Sequence, residues 1–155
     1  MLLSIVLLLA LMMGIGIPME AAAKPRVAIV FATGGLGDKS FNDSAYDGMK
    51  RAEKDLGIEF DKVEPQAVAE YETLLTRFAQ TRKYDLIISI GFDQADALKV
   101  VSARFPNQKF AIIDTAVDAP NVASYVYKEA ERGFVVGAIA GLMTTKKGDP
   151  RIVSD

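Results

Sequence analysis

Short β-branched runs alternate along this sequence with stretches of helical periodicity, and that alternation limits the fold more than any single residue does. Val27, Ala28, Ile29, Val30 and Phe31 form an apolar run that opens directly into a glycine-rich loop, the pattern of a strand buried on both faces. Ala45, Met49, Ala52 and Leu56 then fall on one helical face and predict a helix over 43–56, with Gly57 placed where a helix end needs a residue tolerant of positive φ. A weaker strand at 59–64 is closed by Pro65, and Leu74, Leu75, Phe78 and Ala79 mark the apolar face of a second helix over 68–81. A strand at 86–90, a helix at 94–104 carrying Ala95, Leu98 and Val101, and strands at 110–114 and 123–127 continue the series. Strands interleaved with helices in this way predict an α/β fold built on a doubly wound parallel sheet. A last helix, over 130–145, sets Gly133, Gly137 and Gly141 at every fourth position among Phe134, Val135, Ile139, Leu142 and Met143. Its apolar stretch falls short of the roughly 20 residues that span a bilayer, so close packing within a soluble core is expected in preference to pairing in a membrane.

Composition removes several classes of function. The chain has 155 residues, 50% of them hydrophobic, enough for one domain of ordinary core size. A formal net charge of -2, with its 18 basic residues scattered, lacks the clustered Lys and Arg that nucleic-acid phosphates require. Neither Cys nor His is present, so the usual zinc, iron–sulfur and haem ligand sets and the Ser–His and Cys–His nucleophile pairs are missing. No cofactor and no enzymatic activity are expected.

The N-terminus reads as an address. Residues 2–17 are an unbroken apolar stretch followed by Pro18, Met19, Glu20 and the small residues Ala21, Ala22 and Ala23. This predicts a signal peptide over 1–23 cut after Ala23, with a retained anchor helix as the alternative. Either reading places the domain outside the cytosol, at the periplasmic or extracellular face of the membrane. With no Cys there is no site for lipid attachment.

In an open α/β sheet, ligands bind beyond the carboxyl ends of the strands. The loop at residues 33–44 lies there, and its glycines invite comparison with a phosphate cradle. Asp38 stands between Gly37 and Lys39, which breaks the Walker order, and Ser40 stands where a dinucleotide fingerprint needs its third glycine. Phe41 and Asn42 instead pair an aromatic face with an amide that both donates and accepts, as a heteroaromatic base requires. Phe41 is equally readable as a core staple, and Ser40 with Asp43 as a capping-box variant. Gly91, Phe92 and Asp93 follow the third strand, where Gly91 permits close approach and Asp93 is expected to cap the next helix. Asp114, at the end of the fourth, is either an acceptor for paired sugar hydroxyls or a turn residue.

These segments resemble the basic-membrane-protein, or purine-nucleoside-receptor, family of substrate-binding lipoproteins of ABC transporters. The resemblance rests on residues 37–48, 88–92 and 110–114 and on the helix carrying Gly133 to Leu142. It implies the first lobe of a type I periplasmic-binding-protein fold over 24–127, and the opening helix of a truncated second lobe over 128–155. It further implies a purine nucleoside stacked on Phe41, its base edge bonded by Asn42, its ribose held by Asp114, with Gly91 and Phe92 in the contact surface, and an ABC permease as partner. The ending at residues 148–155 departs from the family pattern and reads as a shifted or truncated frame. Half a cleft predicts weak nucleoside affinity, and an exposed 130–145 helix predicts self-association. Two other readings fit the same sequence: a ligand-sensing regulatory module of the same fold, and a flavodoxin-like enzyme using a nucleotide cofactor.

Overall fold

A computed structural model describes residues 23–144; the expected signal peptide or anchor, and residues 145–155, lie outside the described residues. Five strands, β1 (Arg26–Val30), β2 (Glu59–Val63), β3 (Leu86–Ile90), β4 (Phe110–Ile113) and β5 (Val122–Tyr125), form one sheet in the order β2-β1-β3-β4-β5. Every pairing is parallel. Between them run α1 (Phe41–Leu56), α2 (Tyr71–Thr81) and α3 (Ala95–Arg104), and α4 (Glu129–Thr144) follows β5. The sheet is the doubly wound α/β architecture that the alternation of runs predicts.

The period-two direction of side chains in a strand divides the core into two layers. Ala28, Val30, Ile87, Phe110 and Ile112 face α2 and α3, where they meet Tyr71, Leu75, Ala79, Leu98 and Val101. Val27, Ile29, Phe31 and Ile90 face the other way, against Met49 of α1. Among the described residues helical cover is therefore unequal: two helices serve one face and one serves the other. On the α1 side Ile88 and Ile113 stay only partly buried, and a cavity of about 290 Å³ opens between them and Gly48 of α1.

Several boundaries differ from expectation for local reasons. α1 begins two residues early, at Phe41, because Asp38 caps it from outside the helix. Gly57 adopts the left-handed conformation expected of it, its N–H donating to Glu53 O. Leu56, on the apolar face by spacing, is 73% exposed, as is the whole last turn of α1 from Glu53 on. β4 stops at Ile113, since Asp114 turns the chain with φ of 80°. α4 was expected to pack closely through its glycines. Among the described residues nothing lies within 4 Å of a Cβ built on Gly133, Gly137 or Gly141, and the whole helix is exposed.

Candidate ligand-binding site at the carboxyl ends of the strands

The loop from β1 to α1 is built by carboxylates that bind backbone. Gly34, Gly35 and Gly37 all have positive φ, which only glycine adopts without strain. Asp38 accepts N–H bonds from Ser40 (2.8 Å), Asn42 (2.9 Å) and Asp43 (3.2 Å). These bonds, that from Asn42 foremost, hold its carboxyl below the ordinary aspartate value. Asp43 in turn accepts from Gly37 (2.7 Å) and Lys39 (2.8 Å). The capping box expected of Ser40 and Asp43 is therefore replaced: Ser40 makes no side-chain cap, and Asp38 supplies it. The donors that a phosphate would need at the start of α1 are already taken.

From β2, Glu64 reaches across to accept the Leu36 N–H at 2.9 Å, and that bond together with Lys62 at 2.7 Å holds its carboxyl low. Gly35 lies beneath it with φ of 65°, and a Cβ there would sit 2.8 Å from Glu64 Oε2, at the movable end of that side chain.

Asn42 is 3% exposed, and the backbone engages its amide fully as a donor. Its Oδ1 accepts from Ala32 N–H at 3.0 Å, and its Nδ2 donates to Gly35 O at 2.9 Å and Ala32 O at 3.3 Å. In this geometry Asn42 pins the loop to the end of β1. Phe41, one residue earlier, is half-buried against the α1-side core and lines the 290 Å³ cavity with Ser44, Ile113 and Tyr127.

The β3 loop comes up beside it. Gly91 has φ of 108°, and a Cβ built there would lie 2.9 Å from Asp93 Oδ1, 3.4 Å from Ala32 Cβ and 3.9 Å from the Phe41 ring. Gly91 N–H donates to Ile113 O at 3.1 Å, which continues the β3–β4 ladder and sets Gly91 level with Asp114. Asp114 N–H donates to Tyr125 O at 2.8 Å, and the side chain is half-buried at the rim. Phe92 is 69% exposed. The structure thus gathers Phe41, Gly91 and Asp114 along one rim, holds Phe92 out beside it, and draws Asn42 underneath.

Three residues that hold this rim escape a reading of the sequence. Tyr71 OH accepts from Thr33 N–H at 2.9 Å and donates to Asp93 at 2.7 Å, joining the β1 and β3 loops through one hydroxyl. Asp93 is occupied there and does not cap α3. Gln94, fully buried, donates through Nε2 to Val30 O (3.0 Å), Phe31 O (3.1 Å) and Ile90 O (2.8 Å), clamping the ends of β1 and β3 together. The third is Glu64. The available signal was spacing: Tyr71 and Gln94 stand four residues before Leu75 and Leu98, as polar groups in line with a buried face.

A parallel α/β lobe that converges glycine loops, an aromatic ring and a carboxylate beyond its strand ends belongs to the class of ligand-binding lobes. The family described as ABC transporter substrate-binding protein PnrA-like matches residues 25–151, and the chain belongs to that family. It is similar to an uncharacterized lipoprotein of Pyrococcus abyssi, 38% identical over 84% of this chain and 33% of the relative. It is also similar to the ABC transporter nucleoside-binding protein BmpA of Lactococcus lactis, 28% identical over 77% of this chain and 35% of the relative. Among solved structures, an ABC transporter system solute-binding protein from Aeropyrum pernix K1 superposes with a TM-score of 0.74 at 39% identity, covering 78% of this chain and 33% of that one. The chain spans about a third of the length of the relatives it matches. The family is one of substrate-binding proteins, not of enzymes.

Proposed function

We propose that this chain supplies one wall of a cleft that binds a purine nucleoside for an ABC importer, on the outer face of the membrane. The observation that carries the reading is the rim itself, where the Phe41 ring, the bare backbone of Gly91 and the carboxylate of Asp114 meet at the ends of three adjacent strands. A flat base gains by covering an aromatic ring and lying on backbone that presents no side chain. A carboxylate at the rim accepts hydrogen bonds from vicinal ribose hydroxyls. Phe92 supplies a second aromatic surface, and Asn42 acts by holding the loop that carries Phe41. The name of the Lactococcus relative supports the nucleoside, and the lipoprotein names of the Pyrococcus relatives support an exported protein held at the membrane. Docking on a permease follows from the family's description.

One wall binds weakly, because the ligand keeps half its surface in water. Calorimetric titration of adenosine, guanosine and inosine into this chain is expected to give dissociation constants no tighter than the order of 0.1 mM. Asp114→Asn weakens binding of each nucleoside but not of its free base. Equal loss for base and nucleoside removes Asp114 from the ribose, and no binding of any purine at millimolar concentration removes the nucleoside reading.

A further inference from the structure

Opposite the ligand rim, at the pole where the strands begin and α2 and α3 end, lies a depression of about 460 Å³. Arg82, Tyr84, Arg104, Pro106, Asn107 and Gln108 line it, and no carboxylate does. Lys83 and Lys109 adjoin the lining in sequence and are exposed. Arg104 gives one guanidinium nitrogen to Glu72 (3.0 Å) and Thr76 (2.7 Å). Among the described residues, the side chains of Arg82, Lys83 and Lys109 make no hydrogen bond or ion pair. Arg82 also holds a left-handed backbone, φ 54°, at the end of α2, a conformation that non-glycine residues rarely adopt. Cations at helix ends relieve the helix dipole. That effect does not require two helix ends to share one depression, nor Lys109 to stand at the start of a strand.

The same pole receives the N-terminal segment. Asp85 N–H donates to Arg26 O at 2.8 Å and Glu59 N–H to Pro25 O at 2.9 Å, so the chain enters β1 beside this depression, with Lys24 exposed at the entry. The acidic groups nearby are engaged: Asp85 accepts the Arg26 N–H at 2.8 Å, and Glu59 and Asp61 face the Arg26 guanidinium at 4.0 and 3.4 Å. The apolar residues 2–17 precede this entry in the sequence.

We propose that this depression is a docking surface for anionic lipid headgroups, which seats the strand-start pole on the membrane and turns the ligand rim away from it. The proposal rests on the reading that the protein is exported and stays at the membrane surface. Arg82, Lys83 and Lys109 attract the phosphate and the negative surface potential of an acidic leaflet, and Asn107 offers an amide donor to glycerol oxygens, with Gln108 Nε2 already donating to Lys109 O at 3.0 Å.

The full chain has no Cys, so a single cysteine in place of Ala103, near the depression, or of Ala116, beyond β4, carries a fluorophore cleanly. The full chain is bound to vesicles of phosphatidylcholine alone, or with about a third phosphatidylglycerol, both containing an acceptor-labelled lipid. On the acidic vesicles, energy transfer is expected to be stronger from position 103 than from 116, and the difference to vanish at high salt. Combining Arg82→Gln, Lys83→Gln and Lys109→Gln abolishes that difference and weakens the acidic-lipid component of binding by roughly fivefold per charge. Combining Lys50→Gln, Arg51→Gln and Lys99→Gln changes neither. Equal transfer from both positions on acidic vesicles, or equal loss in both triple variants, overturns the proposal. Retention on neutral vesicles reports the N-terminal segment alone and nucleoside titration reports the rim, so failure of either remains distinguishable from failure here.

Discussion

At the scale of single residues, the asparagine next to Phe41 changes meaning once its surroundings are known. From sequence, the Asn42 amide is a free donor and acceptor beside Phe41; in the fold its Nδ2 hydrogens and Oδ1 are occupied by Ala32 and Gly35. Asn42→Ala therefore leaves the Ala32 N–H and the Gly35 carbonyl at the loop base unpaired, while Ala32 O keeps the Gly35 N–H at 3.3 Å, and is expected to lower stability by about 2–3 kcal/mol, read from the urea midpoint. A residue that touched only ligand would leave that midpoint unchanged. Gly91→Ala places a methyl against Asp93 and Ala32 at positive φ, and is expected to lower stability by about 1–3 kcal/mol while weakening nucleoside binding. Asp38 adds a pH dependence. Its folded-state carboxyl is depressed below 3.8, so its contribution to the start of α1 is present above that value and lost as pH falls through the lower folded value. The amide resonances of Ser40, Asn42 and Asp43 are expected to titrate together in that acid range, and Asp38→Asn to abolish the titration.

At the scale of elements, the strands and helices were legible because burial imposes their periods, and the links between them were not. Leu75, Ala79, Leu98 and Val101 announce their faces by spacing, and all four are buried where spacing places them. Nothing in the order of residues says that Tyr71 reaches Asp93, 22 positions on, or that Gln94 clamps carbonyls more than 60 positions away. Long-range polar contacts depend on register, which the sequence pattern leaves open. The rim was legible in part: Phe41, Gly91 and Asp114 follow from the strand-end rule, whereas the inward turn of Asn42 depends on the path of one loop. Leu56 keeps the period of the buried face yet is exposed, because periodicity marks a face and not how far along the helix that face is covered. Tyr71→Phe tests the link, since it frees Thr33 N–H and Asp93 together; a loss of about 1–2 kcal/mol is expected, with faster hydrogen exchange at Thr33. Tyr84 behaves differently. Burial and its bond to Asp61 push its hydroxyl up to about 12. The protonated form is the stabilised one, so this contribution is full below the ordinary tyrosine value of 10 and lost as pH rises through about 12. Tyr84→Phe is expected to flatten that alkaline decline in thermal stability.

At the scale of the whole molecule, two apolar surfaces lie open in the described residues. A parallel sheet is stable in water when helices cover both faces. Here α2 and α3 cover one, while on the other α1 leaves Ile88, Ile113 and Tyr127 around an open cavity. α4 exposes Phe134 (77%), Val136 and Ile139 on a helix whose glycines have no neighbour within 4 Å. Each surface resembles a buried interface more than a solvated one, and water penalises both. This chain on its own is therefore expected to self-associate through α4, with a sedimentation coefficient that rises over micromolar concentrations. Phe134→Glu together with Ile139→Glu puts two carboxylates on the helix without touching the rim. The pair is expected to raise the dissociation constant of association at least tenfold and to leave nucleoside titrations unchanged. If association survives those charges, the open sheet face around Ile88 and Ile113 is the surface that pairs, and Ile88→Lys is the substitution that then separates the copies.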